Sequence, residues 1–238
     1  MLISHSYKFI FTKTFKTAGT SVERYFEPYC VDAESRQADD EERVGLNGIV
    51  GKRGGRGNAI WYSHMPAQAI RELLGEQKWK AYYKFTIVRN PFDQLISAYF
   101  FMLHQKLEKG LIQRTKPFLK TLLKGKGAVY PGSETDHVIN FRKWISNGAY
   151  FDDSSAYIID SKLCMDFVMR YENLSNDLET VCKRLGIPFE IERLGKHKSQ
   201  FRPEGFAISK MYDDATIELV NKRYRGVLDR FQYEFPKL

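Results

Sequence analysis

Three short apolar segments of the chain predict buried strands. Residues 8–12, 82–88 and 167–170 are rich in aromatic and β-branched side chains, which favour strands. After each segment, a polar stretch leads into apolar residues spaced three or four positions apart, the pattern of an amphipathic helix. This alternation predicts an α/β fold with a central parallel sheet flanked by helices. Because such sheets bind ligands beyond the carboxyl ends of their strands, the loops after the strands are the candidate sites.

Capping and helix-breaking residues predict where several helices begin and end. Thr20 or Ser21 is a candidate N-cap of the first helix, and Pro28 would end it. Gly75 would end a helix that starts after residue 66, and the pair Asp213 and Asp214 would cap a late helix.

The length of 238 residues favours a single domain over residues 1–238. Within it, the stretch at about 32–58 begins with acidic residues and then carries six glycines between positions 45 and 57. Such a stretch predicts a mobile, exposed excursion.

Composition indicates which broad class of protein the chain belongs to. With 43% hydrophobic residues and 34 aromatics (17 Phe, 14 Tyr, 3 Trp), the chain can build a sizeable core. Neither an apolar run of about 18 residues nor a signal-like start at residues 1–7 is present, and the three cysteines are far apart. We therefore expect a cytoplasmic protein with reduced thiols and no membrane anchor. The net charge of +8, from 37 basic and 29 acidic residues, favours anionic partners.

The first candidate site lies between the first predicted strand and its helix. The run is KTAGTS, residues 16–21. Backbone N–H groups at a helix start, a lysine and several hydroxyls suit a phosphate, and Gly19 lets the backbone approach it closely. The Gly-Lys-Ser/Thr signature of the usual phosphate loop is absent, which disfavours a Walker-type nucleotidase. The same local pattern also fits a capped helix beside a solvated lysine.

The second candidate site follows the strand at 82–88. Arg89 ends this strand, and Ser97 lies about two helical turns further on. A guanidinium and a hydroxyl placed in this way can share one phosphate, while Asn90 and Pro91 fix the turn between them. Taken alone, Arg89 also fits a strand-end arginine in a salt bridge.

Together, the two motifs resemble the two cofactor signatures of sulfotransferases that use 3′-phosphoadenosine 5′-phosphosulfate (PAPS). The matching runs are KTAGTS at 16–21, VRNPFD at 88–93 and SAY at 97–99, and the end of the chain at 212–235 is also similar. The similarity is greatest to sulfotransferase family 2, the carbohydrate branch that includes the heparan 2-O and chondroitin 4-O enzymes. The resemblance implies a P-loop-like, three-layer fold and transfer of a sulfuryl group from PAPS to a hydroxyl group.

The resemblance also assigns roles to individual residues. In these enzymes the first motif holds the 5′-phosphosulfate, the second holds the 3′-phosphate, and a late basic loop closes over the nucleotide. The corresponding residues are Lys16, Thr17, Gly19, Thr20 and Ser21 for the phosphosulfate, Arg89 and Ser97 for the 3′-phosphate, and Lys198, Ser199 and Arg202 for the closing loop. The late loop fits a solvated run of charges equally well. Lys16 would also stabilise charge on the bridging oxygen, whereas Lys13, outside the motif, is expected to be a peripheral charge.

His64 is the candidate catalytic base. It lies between a predicted short strand at 60–62 and the helix that follows, and in this branch a histidine in that region acts as the base. A neutral imidazole with a pKa near ~6.5 can accept a proton from a hydroxyl at working pH. Taken alone, a histidine beside Trp61 and Tyr62 also fits a packed, hydrogen-bonded residue. Glu23 and His197 are the next candidates for this role.

Two other functions fit parts of the sequence. A nucleotide-dependent kinase with an atypical phosphate loop would need Mg²⁺ and a carboxylate after a strand, and none is evident. A basic nucleic-acid-binding protein would use the +8 charge, but the basic segments are scattered along the chain. No group of histidines has metal-ligand spacing, so we expect no metal. The expected partner is a hydroxyl-bearing acceptor, a glycan or glycolipid, and not a nucleic acid.

Overall fold

In the computed structural model of the chain, the three predicted strands lie side by side within a six-stranded sheet. The structure describes residues 1–32, 41–114, 132–195 and 202–236. The sheet consists of β1 (Leu2–Ser4), β2 (Phe9–Phe11), β3 (Arg43–Val44), β4 (Gly48–Val50), β5 (Tyr83–Val88) and β8 (Phe167–Arg170), in the order β3-β4-β1-β2-β5-β8. A separate hairpin pairs β6 (Ile158–Ile159) with β7 (Lys162–Leu163).

Helices alternate with these strands along the chain. They are α1 (Gly19–Phe26), α2 (Ala67–Leu74), α3 (Glu76–Ala81), α4 (Pro91–Arg114), α5 (Glu134–Ser146), α6 (Leu174–Leu185), α7 (Ile208–Met211), α8 (Asp214–Arg223) and α9 (Arg225–Phe231). The predicted α/β class, a central sheet flanked by helices, is confirmed.

The centre of the sheet is parallel, as the sequence predicts. Phe11 on β2 lies opposite Phe85 on β5, and Val88 on β5 lies opposite Arg170 on β8. Because β2, β5 and β8 share one direction, the loops that follow them leave the sheet at the same edge.

Antiparallel strands extend this parallel centre, so the sheet is mixed. β1 pairs antiparallel with both β2 and β4, and β3 pairs antiparallel with β4. β3 and β4 lie inside the stretch predicted as a glycine-rich excursion, and the three residues of β4 are buried. Gly48 makes this pairing possible, because a Cβ there would lie 2.1 Å from the carbonyl oxygen of Ile3.

Residues 1–89 and 152–197 form one compact unit, which contains the sheet. In this unit, α1 and α6 pack against one face of the sheet. The packed side chains are Val22, Tyr25 and Phe26 from α1, Leu178, Val181 and Cys182 from α6, and Phe9, Phe11, Phe85, Ile87 and Met169 from the strands. Burial of each large apolar side chain contributes about 1.5–3 kcal/mol, so this face anchors the elements that carry the candidate site.

Residues 90–151 and 198–238 form a second compact unit. Its helices are α4, α5 and α7–α9, and aromatic rings join them: Tyr212 lies 5.3 Å from Phe92 and 5.0 Å from Phe141 between ring centroids. Asp213 caps α8 by accepting from the Thr216 N–H at 2.9 Å, which confirms the predicted start of this helix.

In the described part of the chain, no helix is both long enough and apolar enough to cross a membrane. That residues 1–238 form a single domain stays a prediction.

Candidate active site

The loop between β2 and α1 has an unusual backbone. Lys16 and Ala18 both adopt the left-handed conformation, with φ of 58° and 64°. Residues other than glycine reach this conformation at a cost of about 1–3 kcal/mol each, so surrounding contacts must hold it. Ala18 is also the N-cap of α1, and its side chain forms no capping hydrogen bond, whereas the sequence predicted a hydroxyl cap at Thr20 or Ser21.

Side chains from neighbouring segments hold the loop in place. The Phe15 N–H donates to both carboxylate oxygens of Asp153 at 3.0 Å. The hydroxyl of Thr14 donates to the carbonyl of Ile87 at the end of β5 and also contacts the hydroxyl of Thr17 at 2.8 Å. The Thr17 hydroxyl is therefore engaged inside the loop, and Asp153 supports the loop although its sequence context gave no sign of this.

The start of α1 offers backbone donors. The N–H groups of Ser21 and Val22 donate to the Ala18 carbonyl at 2.8 and 3.2 Å. Within the residues that the structure describes, the N–H groups of Gly19 and Thr20 have no such acceptor, as expected for the first turn of a helix. Backbone donors at a helix start, together with the helix dipole, are groups that can bind an anion, and here they lie next to the half-buried Lys16.

Arg89 connects the second motif to the first. Its Nη1 donates to the carbonyl of Lys16 at 2.9 Å. Its guanidinium lies over the ring of Tyr171, 3.8 Å from the ring centroid. Tyr171 follows β8 directly, and the sequence analysis missed it. The signal was available, because the residue after a parallel strand next to β5 lies at the same edge as Arg89.

His64 lies in the same unit. The predicted strand before it is reduced to a single bridge between Lys52 and Tyr62. His64 has a φ of 62° and an edge contact with Phe15, with the ring centroids 6.2 Å apart. Removal from water, and then the positive charges of Lys13 and the Met1 amino group, lower the pKa of His64 to about 4. The imidazole is therefore neutral at pH 7, which is the form that a base requires.

Two of the other predicted groups differ from expectation. Lys13 is not peripheral: it is 7% exposed, and its ammonium lies 2.6 Å from Glu23. Glu23 cannot replace His64 as the base. Burial alone would raise the pKa of its carboxyl, but the Met1 amino group, Lys13 and Arg53 outweigh burial and hold the pKa far below its usual value.

The remaining candidates belong to the second unit or are not described. Ser97 is half-buried on α4. Arg202 contacts Asp93 at 2.5 Å and donates to the carbonyl of Phe206, so its guanidinium is engaged within the second unit. Lys198 and Ser199, like His197, lie outside the described residues. Among the described residues, no three His, Cys, Asp or Glu side chains are grouped as metal ligands.

Comparison with known proteins identifies the family of the chain. The sequence pattern of the sulfotransferase family matches residues 1–234. Over 128 residues the chain is 25% identical to an uncharacterized protein of Archaeoglobus fulgidus, an alignment that covers 54% of this chain and 88% of that protein. No solved structure matches the chain. Because the family pattern spans nearly the whole sequence, we conclude that the chain belongs to the sulfotransferase family of transferases.

Proposed function

We propose that the protein transfers a sulfuryl group from PAPS to a hydroxyl group of an acceptor. The observation that carries this proposal is the hydrogen bond from Arg89 to the Lys16 carbonyl. It places the guanidinium of the second motif against the loop of the first, so groups suited to two different phosphates lie at one sheet edge.

The anion site at the start of α1 would hold the 5′-phosphosulfate. The N–H groups of Gly19 and Thr20 supply directed donors, and Lys16 supplies a positive charge. Arg89 would hold the 3′-phosphate together with Ser97, because a guanidinium presents two parallel N–H groups to phosphate oxygens. Lys198, Ser199 and Arg202 would close over the nucleotide.

The residues of this site would support in-line transfer. His64 would take the proton from the acceptor hydroxyl while the acceptor oxygen forms a bond to sulfur. The bond between sulfur and the bridging phosphate oxygen breaks, and Lys16 would stabilise the negative charge that grows on this oxygen. As in phosphoryl transfer, the protein contributes chiefly positioning and electrostatic stabilisation.

The acceptor class is proposed from the sequence resemblance. The motif runs are most similar to those of the carbohydrate branch, so we propose a glycan or glycolipid hydroxyl as the acceptor, and membership of the heparan 2-O and chondroitin 4-O branch.

Transfer of label to glycan acceptors tests the reaction. Parallel incubations with ³⁵S-labelled PAPS and with γ-³²P-labelled ATP should transfer sulfur and no phosphorus. Transfer from ATP, or from neither donor, would contradict the proposal.

Nucleotide selectivity tests the role of Arg89. The product nucleotide, which carries both phosphates, should bind at least ~10-fold more tightly than 5′-AMP in calorimetry, because charge-assisted contacts are worth about 1.5–3 kcal/mol each. Arg89→Lys should shrink this ratio, whereas Arg184→Lys on α6 should preserve it. If Arg89 only supports the loop, its substitution will weaken both nucleotides equally and leave the ratio unchanged.

A further inference from the structure

The segment that follows α9, residues 233–235, leaves this helix in a fixed direction. Gln232 adopts the left-handed conformation, with φ of 54°, and the Tyr233 N–H donates to the Leu228 carbonyl at 3.0 Å. A residue other than glycine keeps this conformation only where surrounding contacts hold it. The side chain of Tyr233 is buried, so the segment is held against the second unit.

Asn90, the residue before α4, joins this segment to the start of that helix. Its Nδ2 donates to the carbonyl of Glu234 at 2.8 Å, and its Oδ1 accepts from the N–H of Phe92 at 3.1 Å. Asn90 is 9% exposed, and burying an amide is costly unless its polar atoms are hydrogen-bonded. Asparagine is a short side chain that carries both a donor and an acceptor, so one residue caps α4 and binds the segment 233–235.

Aromatic rings make a second connection at the same place. Phe92, in the first turn of α4, is fully buried, and its ring centroid lies 5.0 Å from that of Phe235 and 5.3 Å from that of Tyr212, both edge-on. Edge-to-face pairs of this kind are favourable beyond the area they bury. The Tyr212 hydroxyl also donates to the Phe92 carbonyl at 2.8 Å. The first turn of α4 is therefore fixed through both its backbone and its side chains.

We propose that the segment 233–235 positions the second motif: through Asn90 and Phe92 it fixes the start of α4, and thereby the place of Ser97. This inference rests on the proposed function, in which Ser97 contacts the 3′-phosphate. Ser97 lies five residues after Phe92 on the same helix, so a shift of the first turn displaces its hydroxyl. Hydrogen bonds weaken steeply with distance and angle. Asn90 and Phe235 act through α4 and not on the nucleotide, so they are positioning residues.

Calorimetry with two nucleotides tests this role. The measured quantity is the ratio of the Kd for 5′-AMP to the Kd for the product nucleotide, because only the product nucleotide carries the 3′-phosphate. Asn90→Ser retains a hydroxyl that can cap α4 but lacks the amide donor to Glu234, and Phe235→Ala removes the ring. Each substitution should lower the ratio by about 3- to 10-fold, the effect of weakening one hydrogen bond.

The ratio is insensitive to a general loss of stability. Partial unfolding reduces both apparent affinities by the same factor, so it leaves the ratio unchanged. Phe235→Tyr keeps an aromatic ring at this half-buried position and should restore the ratio. Tyr150→Ala is the matched control in the same unit: it removes a ring that lies 4.9 Å from Tyr224, after α8, and should also leave the ratio unchanged.

Hydrogen–deuterium exchange of the ligand-free protein tests the route through α4. Amide exchange over residues 92–97 should become faster in Asn90→Ser and in Phe235→Ala, because fewer contacts hold this turn, and should be unchanged in Tyr150→Ala. A lower ratio without faster exchange would mean that the segment acts by another route, and would overturn the proposal.

The outcomes separate this inference from the proposed function. If the unchanged protein binds the two nucleotides equally, the 3′-phosphate site of the proposed function fails, and this inference fails with it. If the unchanged protein prefers the product nucleotide and either Asn90→Ser or Phe235→Ala keeps the full preference, the positioning role alone is refuted. A loss of preference in Tyr150→Ala as well would also refute it. Loss in the two variants alone, with recovery in Phe235→Tyr, supports it.

Discussion

Substitution of Gly19 by alanine tests the close packing at the start of α1. The added methyl group would lie 2.7 Å from Cγ of Lys13 and 3.3 Å from its Cε. Lys13 cannot simply swing away, because it is buried and bound to Glu23. Overpacking of this kind lowers the free energy of unfolding by about 1–3 kcal/mol, whereas the higher helix propensity of alanine raises it by at most about 1 kcal/mol. We therefore expect a net loss of about 1–2 kcal/mol.

Thermal unfolding followed by circular dichroism measures this loss. For a chain of this size, 1 kcal/mol corresponds to about 2–4 °C, so the melting temperature should fall by about 2–8 °C. Gly226→Ala is the matched control, because Gly226 is also in the first turn of a helix, α9, and a methyl group added there would have no neighbour within 4 Å. This control should leave the melting temperature unchanged or raise it slightly. If both substitutions raised the melting temperature equally, the steric argument at Gly19 would be refuted.

Three further predictions concern the loop and the base. Lys16→Ala should weaken binding of the product nucleotide and lower kcat, each by ~10-fold or more, while Lys8→Ala, at the opposite end of β2, should change both little. Because the pKa of His64 is about 4 and its neutral form is active, kcat/KM should stay level from pH 8 to 5 and fall as pH drops through 4; an acid limb near 6.5 would contradict this. Asp153→Ala releases the Phe15 N–H and should weaken nucleotide binding by ~10-fold, unlike Asp152→Ala at the exposed neighbour, as calorimetry would show.

The sequence predicted the parallel centre of the sheet because β2, β5 and β8 are rich in aromatic and β-branched residues and are followed by clear helix signals. It missed β1, β3 and β4 for a physical reason. β3 and β4 are two and three residues long, and β4 begins with a glycine, so the local composition resembles that of a loop. Their strand conformation depends on pairing with β1, a partner distant in sequence.

The residues of the candidate site could be predicted where a charged or polar side chain comes soon after a predicted strand. Lys16 and Arg89 were found because each follows an apolar run at the carboxyl edge. Asp153 was not, because it reaches the loop from 138 residues away in sequence and no local pattern marks it. Such a long-range contact arises only once the chain has folded.

Lys13 and Lys16 carry the same charge, and burial is what separates their roles: Lys13 is part of a buried ion pair, whereas Lys16 belongs to the proposed phosphosulfate site. Both are lysines on the same loop, three residues apart, and the +8 net charge of the chain makes neither unusual. Lys13 lies two residues after the end of β2 and is buried in the interior, where a lone ammonium would be unstable. Glu23 compensates for it, and Gly19 leaves space for its methylene groups. Lys16 is itself in the left-handed conformation and stays half-buried near the start of α1. The absence of a side chain at Gly19 is therefore what accommodates Lys13 in the interior beside the start of α1.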